Sequence, residues 1–383
     1  MKKILIMCLG DIRFYARFRR MSQLLMEYDS FDLSLAAFIG DMDGVEFFKI
    51  KRIKNTFFFK LYRRILGLAI SISPFESLRI LLESCRFGLL GLKDQLGASS
   101  FDLIIIENLE LLPLAFKIKK DARILFDARE YYPKQNEESF WFNFVEKPRR
   151  IQLCRNYMAR SDVVVTVSEG LREAFKEEFG ISSVLYRSTP SYVDMPVRLT
   201  DKDHIKMVYH GAANRNRQLE NLIEILGLLD SRFSLDFFLV GSPGYQSELK
   251  KLASNDSRIR FMKPVIFDAI IPTISKYDIG FFYYESDGFN VMHCLPNKFF
   301  EYIQARVMVA IGPSPDMAQL VKKYGCGVVS EAFSVESMAK ALNSLSVEDI
   351  DRAKRCSDIA ARELCFEEES KVMKGIIQNL IGE

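Results

Sequence analysis

Two short apolar runs, Leu103-Ile104-Ile105-Ile106 and Val163-Val164-Val165, indicate the fold class of this chain. Both runs are apolar on successive residues rather than on alternate ones. A strand has this pattern when helices cover both of its faces, which is the arrangement of a parallel sheet. Helical patterns separate the runs, and Glu169–Phe179 is one of them, preceded by Ser168 as a helix N-cap. The first half of the chain therefore predicts an α/β domain.

The same alternation of strands and helices occurs twice along the chain. The predicted strands are Lys3–Leu9, Leu33–Ile39, Phe101–Glu107, Arg123–Asp127 and Asp162–Val167, and then Lys206–His210, Leu235–Val240, Asp278–Tyr283, Val307–Ile311 and Cys326–Val329. Two such series predict two Rossmann-like, doubly wound domains that face a central cleft, where open α/β sheets bind ligands. The predicted domains are 1–195 and 205–355, followed by terminal helices at 356–383, for which packing back on the N-terminal domain is one option.

Length, composition and charge exclude several classes of protein. A chain of 383 residues with 49% hydrophobic and 27% charged residues is long enough for two domains and too apolar for extensive disorder. No apolar run reaches the ~18 residues of a spanning helix. Seven scattered cysteines predict reduced thiols in the cytoplasm. Because only three histidines accompany them, we expect no metal site.

The net charge of +3 argues against nucleic acid as a partner, but it hides an uneven distribution. Residues 1–100 contain 16 Lys and Arg against 10 Asp and Glu, a balance of +6. The rest of the chain must therefore carry −3.

The segment Leu295–Ala305 carries the clearest binding chemistry. Pro296 suits the first turn of a helix, whose free backbone amides and dipole form an anion site. Lys298 adds a cation in that turn, and Glu301 lies one turn further on the same face. The amides and the cation suit a diphosphate, and the carboxylate can accept hydrogen bonds from ribose hydroxyls. The alternative is an ordinary amphipathic helix with a surface ion pair.

This segment and its neighbours resemble the donor-binding region of GT-B glycosyltransferases, especially family four, also called group one. The blocks that carry the resemblance are 126–133, 162–169, 208–211 with Arg217 and 219–223, 237–244, 260–265, 271–272, 277–280 and 295–305. The resemblance covers about 100–350 and is strongest over 205–330. It implies a nucleotide-sugar donor, no cofactor and a metal-independent transfer that retains the anomeric configuration.

The resemblance also implies the residues of the donor site. They are Gly211, Arg215, Arg217, Gly241, Ser242, Lys263, Pro264, Val265, His293, Pro296, Asn297, Lys298 and Glu301. Arg217 and Lys298 are expected to contact the phosphates and to stabilise the charge that builds on the leaving diphosphate. Glu301 is expected to bind the ribose, and the backbone near 262–265 the base.

Four positions depart from the family pattern. His293 replaces the first Glu of a paired motif, Ala212 stands where many relatives have Arg, Arg129 stands where many have His, and Arg306 replaces a common Gly. These departures leave the sugar open. There are two alternatives to a transferase. One is a nucleotide-sugar epimerase of the same fold, which would need added carboxylates in the cleft, and the other is a non-catalytic nucleotide- or sugar-binding protein, which His293 and Ala212 favour.

Further predictions concern residues that follow strands of the first domain, and one histidine at the end of the first strand of the second domain. Glu130 is the candidate base, with a hydrogen bond to nearby backbone as the alternative, and Arg129 forms either a substrate contact or a structural ion pair. Gly10, Asp11 and Arg13 follow the first strand and are candidate acceptor contacts, with a solvated loop as the alternative. His210 is interpreted as structural.

A basic and aromatic segment, 49–64, predicts contact with an anionic membrane surface. Lys60, Arg63 and Arg64 lie there among seven cations and no acidic residue. If the segment is helical, the apolar residues 58, 61, 62, 65 and 66 form a stripe opposite the cations. The alternatives are a helix that faces the core with a solvated basic side, and nucleic-acid binding. The predicted function is transfer of a sugar to a glycan acceptor, lipid-linked in our interpretation, by a cytoplasmic protein on the inner face of the cell membrane.

Overall fold

The computed structural model describes residues 1–12, 15–40, 42–52, 56–283, 285 and 288–382. The chain divides into two compact units. Unit 1 contains Met1–Tyr186, Gly288–Asn290 and Ser370–Glu383. Unit 2 contains Arg187–Asp287 and Val291–Glu369. Each unit has its own buried hydrophobic cluster.

Unit 1 is built around a parallel sheet of seven described strands in the order β3-β2-β1-β4-β5-β6-β7. The strands are β1 (Lys2–Met7), β2 (Phe31–Ala37), β3 (Glu46–Lys49), β4 (Leu103–Ile106), β5 (Arg123–Ala128), β6 (Val163–Thr166) and β7 (Val184–Leu185). Its helices are α1 (Ala16–Met26), α2 (Phe57–Ile72), α3 (Glu76–Phe87), α4 (Leu92–Gly97), α5 (Leu112–Ile118), α6 (Lys147–Asn156) and α7 (Glu169–Phe179).

Unit 2 contains a parallel sheet of six described strands in the order β10-β9-β8-β11-β12-β13. The strands are β8 (Ile205–Ala212), β9 (Phe233–Val240), β10 (Ile259–Met262), β11 (Ile279–Phe282), β12 (Met308–Ile311) and β13 (Gly327–Val329). The helices from here to the end of the chain are α8 (Glu220–Gly227), α9 (Pro243–Leu252), α10 (Ile270–Ile274), α11 (Phe289–Met292), α12 (Asn297–Gln304), α13 (Pro315–Tyr324), α14 (Val335–Asn343), α15 (Val347–Glu363) and α16 (Phe366–Ile381).

The predicted fold class is confirmed, since both sheets are parallel and their central strands are buried on both faces. The apolar run of β4 is almost entirely inaccessible to solvent. Three strands have no sequence prediction, namely β3, β7 and β10, and each lies at an edge of its sheet. Edge strands bury little, so β3 has exposed polar ends and β7 has only two residues. The pattern of continuous apolar residues is therefore absent from both.

Arg306 has a structural explanation in unit 2. Its φ is +58°, a conformation that favours glycine, which accounts for the glycine common at this position. Its side chain is only 1% exposed, and its Nε donates to Asp358 Oδ1 at 2.7 Å. A second nitrogen donates to the Val193 carbonyl at 2.8 Å. The guanidinium thus connects the end of α12, the helix α15 and the segment near Val193.

Candidate functional site

The candidate donor site lies at the carboxyl edge of the sheet in unit 2. Strand β8 is the point where the strand order reverses, with β9 and β10 on one side and β11 to β13 on the other. Open parallel sheets bind ligands at this switch point, outside the carboxyl ends of the strands. His210 and Gly211 are at the end of β8, and Phe282 ends β11 beside it. The start of α12 brings Lys298 to the same place.

Lys298 is held over two aromatic rings at this edge. Its Nζ is 3.9 Å from the centre of the Tyr209 ring and 5.2 Å from the centre of the Phe282 ring. A Cβ atom built on Gly211 would lie 3.0 Å from this Nζ, and Gly211 has a φ of +126°. Glycine at this position therefore permits both the backbone conformation and the close approach of the ammonium group.

The electrostatics of the site are set by burial and by neighbouring cations. Burial, followed by the charge of Arg217, lowers the pKa of Lys298 to about 7, against the opposing effect of Glu301. Burial and the charge of Lys298 lower the pKa of His210 to about 3. At neutral pH His210 is therefore uncharged, whereas Lys298 is poised to gain a proton when an anion arrives.

Glu301 lies one turn after Lys298, as predicted from the spacing. Its side chain is buried, and its Oε2 is 3.2 Å from Nε2 of His210. His210 therefore lies beside Glu301 in the candidate site, and its interpretation as a structural residue stays a prediction. Its position could be read from the sequence, because His210 ends the predicted strand Lys206–His210, directly before Gly211.

The two arginines after β8 have different surroundings. Arg217 is half-buried, with its guanidinium 5.9 Å from the centre of the Phe282 ring, near the ammonium of Lys298. Arg215 is exposed and donates to both carboxylate oxygens of Glu248 on α9. The structure thus brings Arg217 to the site and pairs Arg215 with a surface carboxylate.

The other predicted donor residues spread along the same sheet edge. Gly241 and Ser242 follow β9, both with positive φ. Lys263, Pro264 and Val265 follow β10, where Lys263 and Pro264 are exposed and Val265 packs against the core.

The remaining predicted donor residues lie at or before the start of α12. Pro296 is the N-cap of α12, and Asn297 is its exposed first residue. His293 Nδ1 is 2.7 Å from Asp316 Oδ2, so a carboxylate is adjacent to the position where the family pattern has a glutamate.

A second cluster of charged groups lies at the carboxyl edge of the sheet in unit 1. Arg17 of α1 and Asp127 of β5 form a buried ion pair with two hydrogen bonds, of 2.6 and 2.8 Å. Arg129 approaches Glu107, with 3.6 Å between a guanidinium nitrogen and Oε2. Arg129 thus forms the structural ion pair that was one of its two interpretations.

Glu107 is a residue that the sequence interpretation missed. Its carboxylate is only 2% exposed, and burial raises its pKa to about 7, against the opposing charge of Arg129. Buried carboxyl groups with raised pKa values are enriched at functional sites. Its position in the sequence could have indicated it, because Glu107 directly follows the apolar run of β4. That strand end lies beside β1, where the strand order of the sheet reverses.

The predicted base and acceptor contacts have the following surroundings. Glu130 is exposed and forms no hydrogen bond within the described part of the chain, so its alternative of a bond to backbone is not supported. Gly10 is buried against the Tyr15 ring. Asp11 forms an isolated parallel β-bridge with Ile39, beyond the carboxyl ends of β1 and β2. Arg13 lies outside the described residues.

Residues 57–64 of the predicted membrane segment form the first half of α2, Lys49 ends β3, and positions 53–55 lie outside the described residues. Phe57 and Phe58 are 76% and 79% exposed, and Ile65 is 59% exposed. Within α2 only Gly67 and Ile70 are buried. The alternative of a core-facing stripe is therefore wrong for this helix, because its apolar side chains face solvent. Lys60, Arg63 and Arg64 are exposed among them.

Two kinds of feature are absent from the described residues. No helix in these ranges is both long and apolar enough to cross a membrane. Nor does this part of the chain hold a group of three or more His, Cys, Asp or Glu residues arranged to bind a metal ion.

Comparisons with known proteins show what the chain is similar to in sequence and in fold. No protein-family model matches the chain. An uncharacterized glycosyltransferase of Haemophilus influenzae is 23% identical over 219 residues, which are 54% of this chain and 58% of the relative. The match thus spans less than two thirds of that relative's length.

Solved structures match nearly the whole chain at low sequence identity. Anabaena Alr3699/HepE, in complex with UDP and glucose, has a TM-score of 0.68 at 12% identity and covers 99% of this chain and 100% of its own. WaaG, a glycosyltransferase involved in lipopolysaccharide biosynthesis, has a TM-score of 0.65 at 12% identity, covering 97% and 100%. The chain has the GT-B fold, and in sequence and fold it is similar to glycosyltransferases.

Proposed function

We propose that this protein is a glycosyltransferase that moves a sugar from a nucleoside-diphosphate sugar to a glycan carried by a membrane lipid. The observation that carries the proposal is the convergence of Lys298, Arg217, Gly211 and Glu301 at the switch point of the second sheet. The similar Anabaena protein was solved with UDP and glucose, which supports a nucleotide-sugar donor.

The site supplies charge stabilisation where the reaction needs it. As the bond between the sugar C1 and the phosphate oxygen breaks, the electron pair moves to the diphosphate. Lys298 takes up a proton and, with Arg217, stabilises this charge, while the amides at the start of α12 add partial positive charge. Glu301 accepts hydrogen bonds from the ribose of the donor. This chemistry requires no metal ion or cofactor, in line with the family resemblance.

The acceptor hydroxyl must lose its proton as its oxygen bonds to C1. Glu130 is exposed and unpaired by hydrogen bonds within the described ranges, so it is available as the base. The departing phosphate oxygen is the other proton acceptor. We propose that the product keeps the anomeric configuration of the donor, which measurement of the anomeric coupling constant by NMR will test. An inverted product would contradict this part of the proposal.

The proposed location is the cytoplasmic face of a membrane. The exposed apolar side chains of α2, together with Lys60, Arg63 and Arg64, support contact with an anionic bilayer. The similar WaaG acts in lipopolysaccharide biosynthesis, which supports a lipid-linked acceptor. The seven cysteines are free thiols, which agrees with a reducing compartment.

The test is a screen of nucleotide sugars with and without a lipid-linked glycan extract, with released nucleoside diphosphate as the readout. We expect one donor to raise the thermal midpoint and to be turned over faster with the extract. Lys298→Gln is expected to lose this turnover, whereas Lys276→Gln, which removes an exposed lysine of the same unit, is expected to keep it.

The pattern of failure distinguishes the alternatives. Binding of a nucleotide sugar without turnover would favour a non-catalytic binding protein. Conversion of the donor to a different nucleotide sugar would favour an epimerase. For the base, Glu130→Gln is expected to lower turnover about 100-fold and leave donor affinity unchanged. Unchanged turnover would assign proton removal to the phosphate.

A further inference from the structure

A cavity of about 470 Å³ lies beside α2 in unit 1, and its charge is strongly unbalanced. Four cations line it: Lys60, Arg63, Arg64 and Arg86. One carboxylate, Glu146, opposes them, so the lining carries a formal charge of +3.

The one carboxylate of this lining, Glu146, is paired with one of these cations. Arg86 donates two hydrogen bonds to Glu146, and one of them is 2.9 Å long. The Nε of Arg86 is buried and has no hydrogen-bond acceptor among the described residues. Lys60, Arg63 and Arg64 form no ion pair with a described carboxylate. The positive charge therefore remains available to a ligand.

The rest of the lining is apolar and aromatic. Phe57, Leu61 and Trp141 contribute it, and the guanidinium of Arg64 lies 5.7 Å from the centre of the Trp141 ring. Phe57 and Leu61 are also part of the exposed apolar face of α2. A ligand in this cavity thus meets cations on one side and hydrocarbon on the other.

An adjoining cavity of about 410 Å³ provides a contrast. It shares Arg63, Arg86, Trp141 and Glu146 with the first. Its one further cation, at position 150, and two further carboxylates, at 110 and 138, give three charges of each sign. Its lining is therefore neutral, and an anion is expected to prefer the cavity beside α2.

We propose that the cavity beside α2 binds the phosphate headgroup of an anionic phospholipid of the bilayer. The phosphate lies against Lys60, Arg63 and Arg64, and the acyl chains lie along Phe57 and Leu61. A zwitterionic headgroup fits less well, because its cationic end would meet the same three cations. The proposal rests on the membrane contact of the proposed function and narrows it from general surface charge to one headgroup site.

Trp141 makes the site directly observable, because it is the single tryptophan of the chain and lines the cavity. The experiment titrates the protein with vesicles of phosphatidylcholine alone, with vesicles that also contain phosphatidylglycerol, and with inorganic phosphate. We expect a saturable change in Trp141 emission only with phosphatidylglycerol. Sedimentation of the same samples measures the bound fraction independently.

A matched pair of triple variants separates the cavity from the overall charge. Replacing Lys60, Arg63 and Arg64 by Gln is expected to weaken phosphatidylglycerol binding about a hundredfold, at roughly fivefold per cation. The control replaces three exposed lysines of the same unit, at positions 93, 117 and 176, by Gln and removes the same charge. The control is expected to bind as the unchanged protein does.

A second variant, Leu61→Asn, tests the hydrocarbon side while leaving every cation in place. It is expected to weaken vesicle binding, and its circular dichroism spectrum and thermal midpoint will show that it folds, since Leu61 is exposed.

Three results would overturn the proposal. They are an equal loss of binding in both triple variants, the same Trp141 response to both kinds of vesicle, and a full response to inorganic phosphate alone. Vesicles that do not sediment the protein at all would instead contradict the membrane contact of the proposed function. Donor binding, measured separately, is independent of all these outcomes.

Discussion

Lys298 shows how burial prepares a single side chain for an anionic ligand. An isolated lysine is fully charged at neutral pH, but burial and the nearby Arg217 hold the pKa of this one at about 7. The two aromatic rings beneath it offer a weak electrostatic partner in place of a carboxylate. The ammonium is thus available to bind a diphosphate in the site.

The first prediction is that nucleoside diphosphate affinity falls as the pH rises above about 7. The bound diphosphate favours the protonated form of Lys298, so binding takes up a proton once the free protein has lost it. The loss should approach about tenfold per pH unit. Calorimetry over a pH series, in buffers of different ionisation enthalpy, measures both the affinity and the proton uptake.

The matched control for this experiment is Lys276→Gln, which removes an exposed lysine of the same unit. The Lys276→Gln variant should keep the pH dependence of nucleoside diphosphate affinity. The Lys298→Gln variant should bind the diphosphate weakly, with an affinity that does not change with pH. A pH dependence that survives in Lys298→Gln would assign the proton to another group.

Glu107 provides the second prediction, which concerns stability. Its pKa is raised by burial from 4.5 to about 7 in the folded protein, so the folded state keeps a proton that the unfolded state releases. The free energy of unfolding should therefore fall as the pH rises from about 4.5 to about 7, by on the order of 3 kcal/mol. Glu107→Gln should remove this slope in urea unfolding experiments.

Glu130→Gln is the control for that measurement, because Glu130 is exposed and close in sequence to Arg129, the partner of Glu107. It should leave the slope between pH 4.5 and 7 as it is in the unchanged protein. If both variants show the original slope, Glu107 does not titrate in this range.

At the scale of the element, the close approach of α12 to the end of β8 depends on a glycine, which has no Cβ atom. Gly211 has a φ of +126°, and a Cβ there would lie 3.0 Å from the ammonium of Lys298. Gly375 is an ordinary helical glycine within α16, where an added Cβ would meet nothing within 4 Å. The two glycines therefore form a natural comparison.

The third prediction is that Gly211→Ala weakens nucleotide binding and lowers stability by roughly 1–3 kcal/mol, because of backbone strain. Gly375→Ala should raise stability by about 0.5–1 kcal/mol, since alanine loses less entropy in a helix. Thermal unfolding with and without nucleotide gives both quantities. Equal effects of the two substitutions would mean that the site does not require glycine at position 211.

Arg306 gives the fourth prediction at this scale. Its buried guanidinium is bonded to Asp358 and to the Val193 carbonyl, so its removal leaves polar groups in unit 2 without their partner. Arg306→Ala is expected to lower the free energy of unfolding by about 3–5 kcal/mol. Arg362→Ala, which removes an exposed arginine that also contacts Asp358, should have little effect. Similar losses in the two variants would contradict the importance of burial.

At the scale of the whole molecule, the two units carry different chemistry. The elements that carry the candidate donor site, such as β8 and α12, contribute to the buried hydrophobic cluster of unit 2. The cavity beside α2 is lined by residues of unit 1. The uneven charge follows the same division, since residues 1–100, with a balance of +6, lie in unit 1.

The fifth prediction is that a nucleotide protects unit 2 selectively from hydrogen exchange. The largest effect is expected at the start of α12 and at the end of β8, where Lys298 and Gly211 lie. Anionic vesicles should instead protect α2. Protection of α2 by nucleotide alone would contradict this assignment of separate sites to the two units.

The fold class and most strand positions follow from the sequence alone, because the continuous apolar runs of central strands such as β4 reflect burial on both faces. The same is true of Lys298 and Glu301 on one face of a helix, because that spacing is a local property of the α-helix. The edge strand β3 could not be predicted in this way, since its two end residues are polar and exposed and it has no run of buried apolar residues.

Tertiary structure was needed to show which distant side chains meet and which apolar face lacks a partner. Folding brings His210 to Glu301, far apart in the sequence, and buries Glu107 beside Arg129. It also leaves the stripe of α2 in solvent, where the sequence allowed equally a core-facing helix. The lowered pKa of Lys298 also depends on tertiary structure, because residues brought together by folding bury its side chain. The periodicity of a helix or strand, in contrast, depends only on neighbours along the chain.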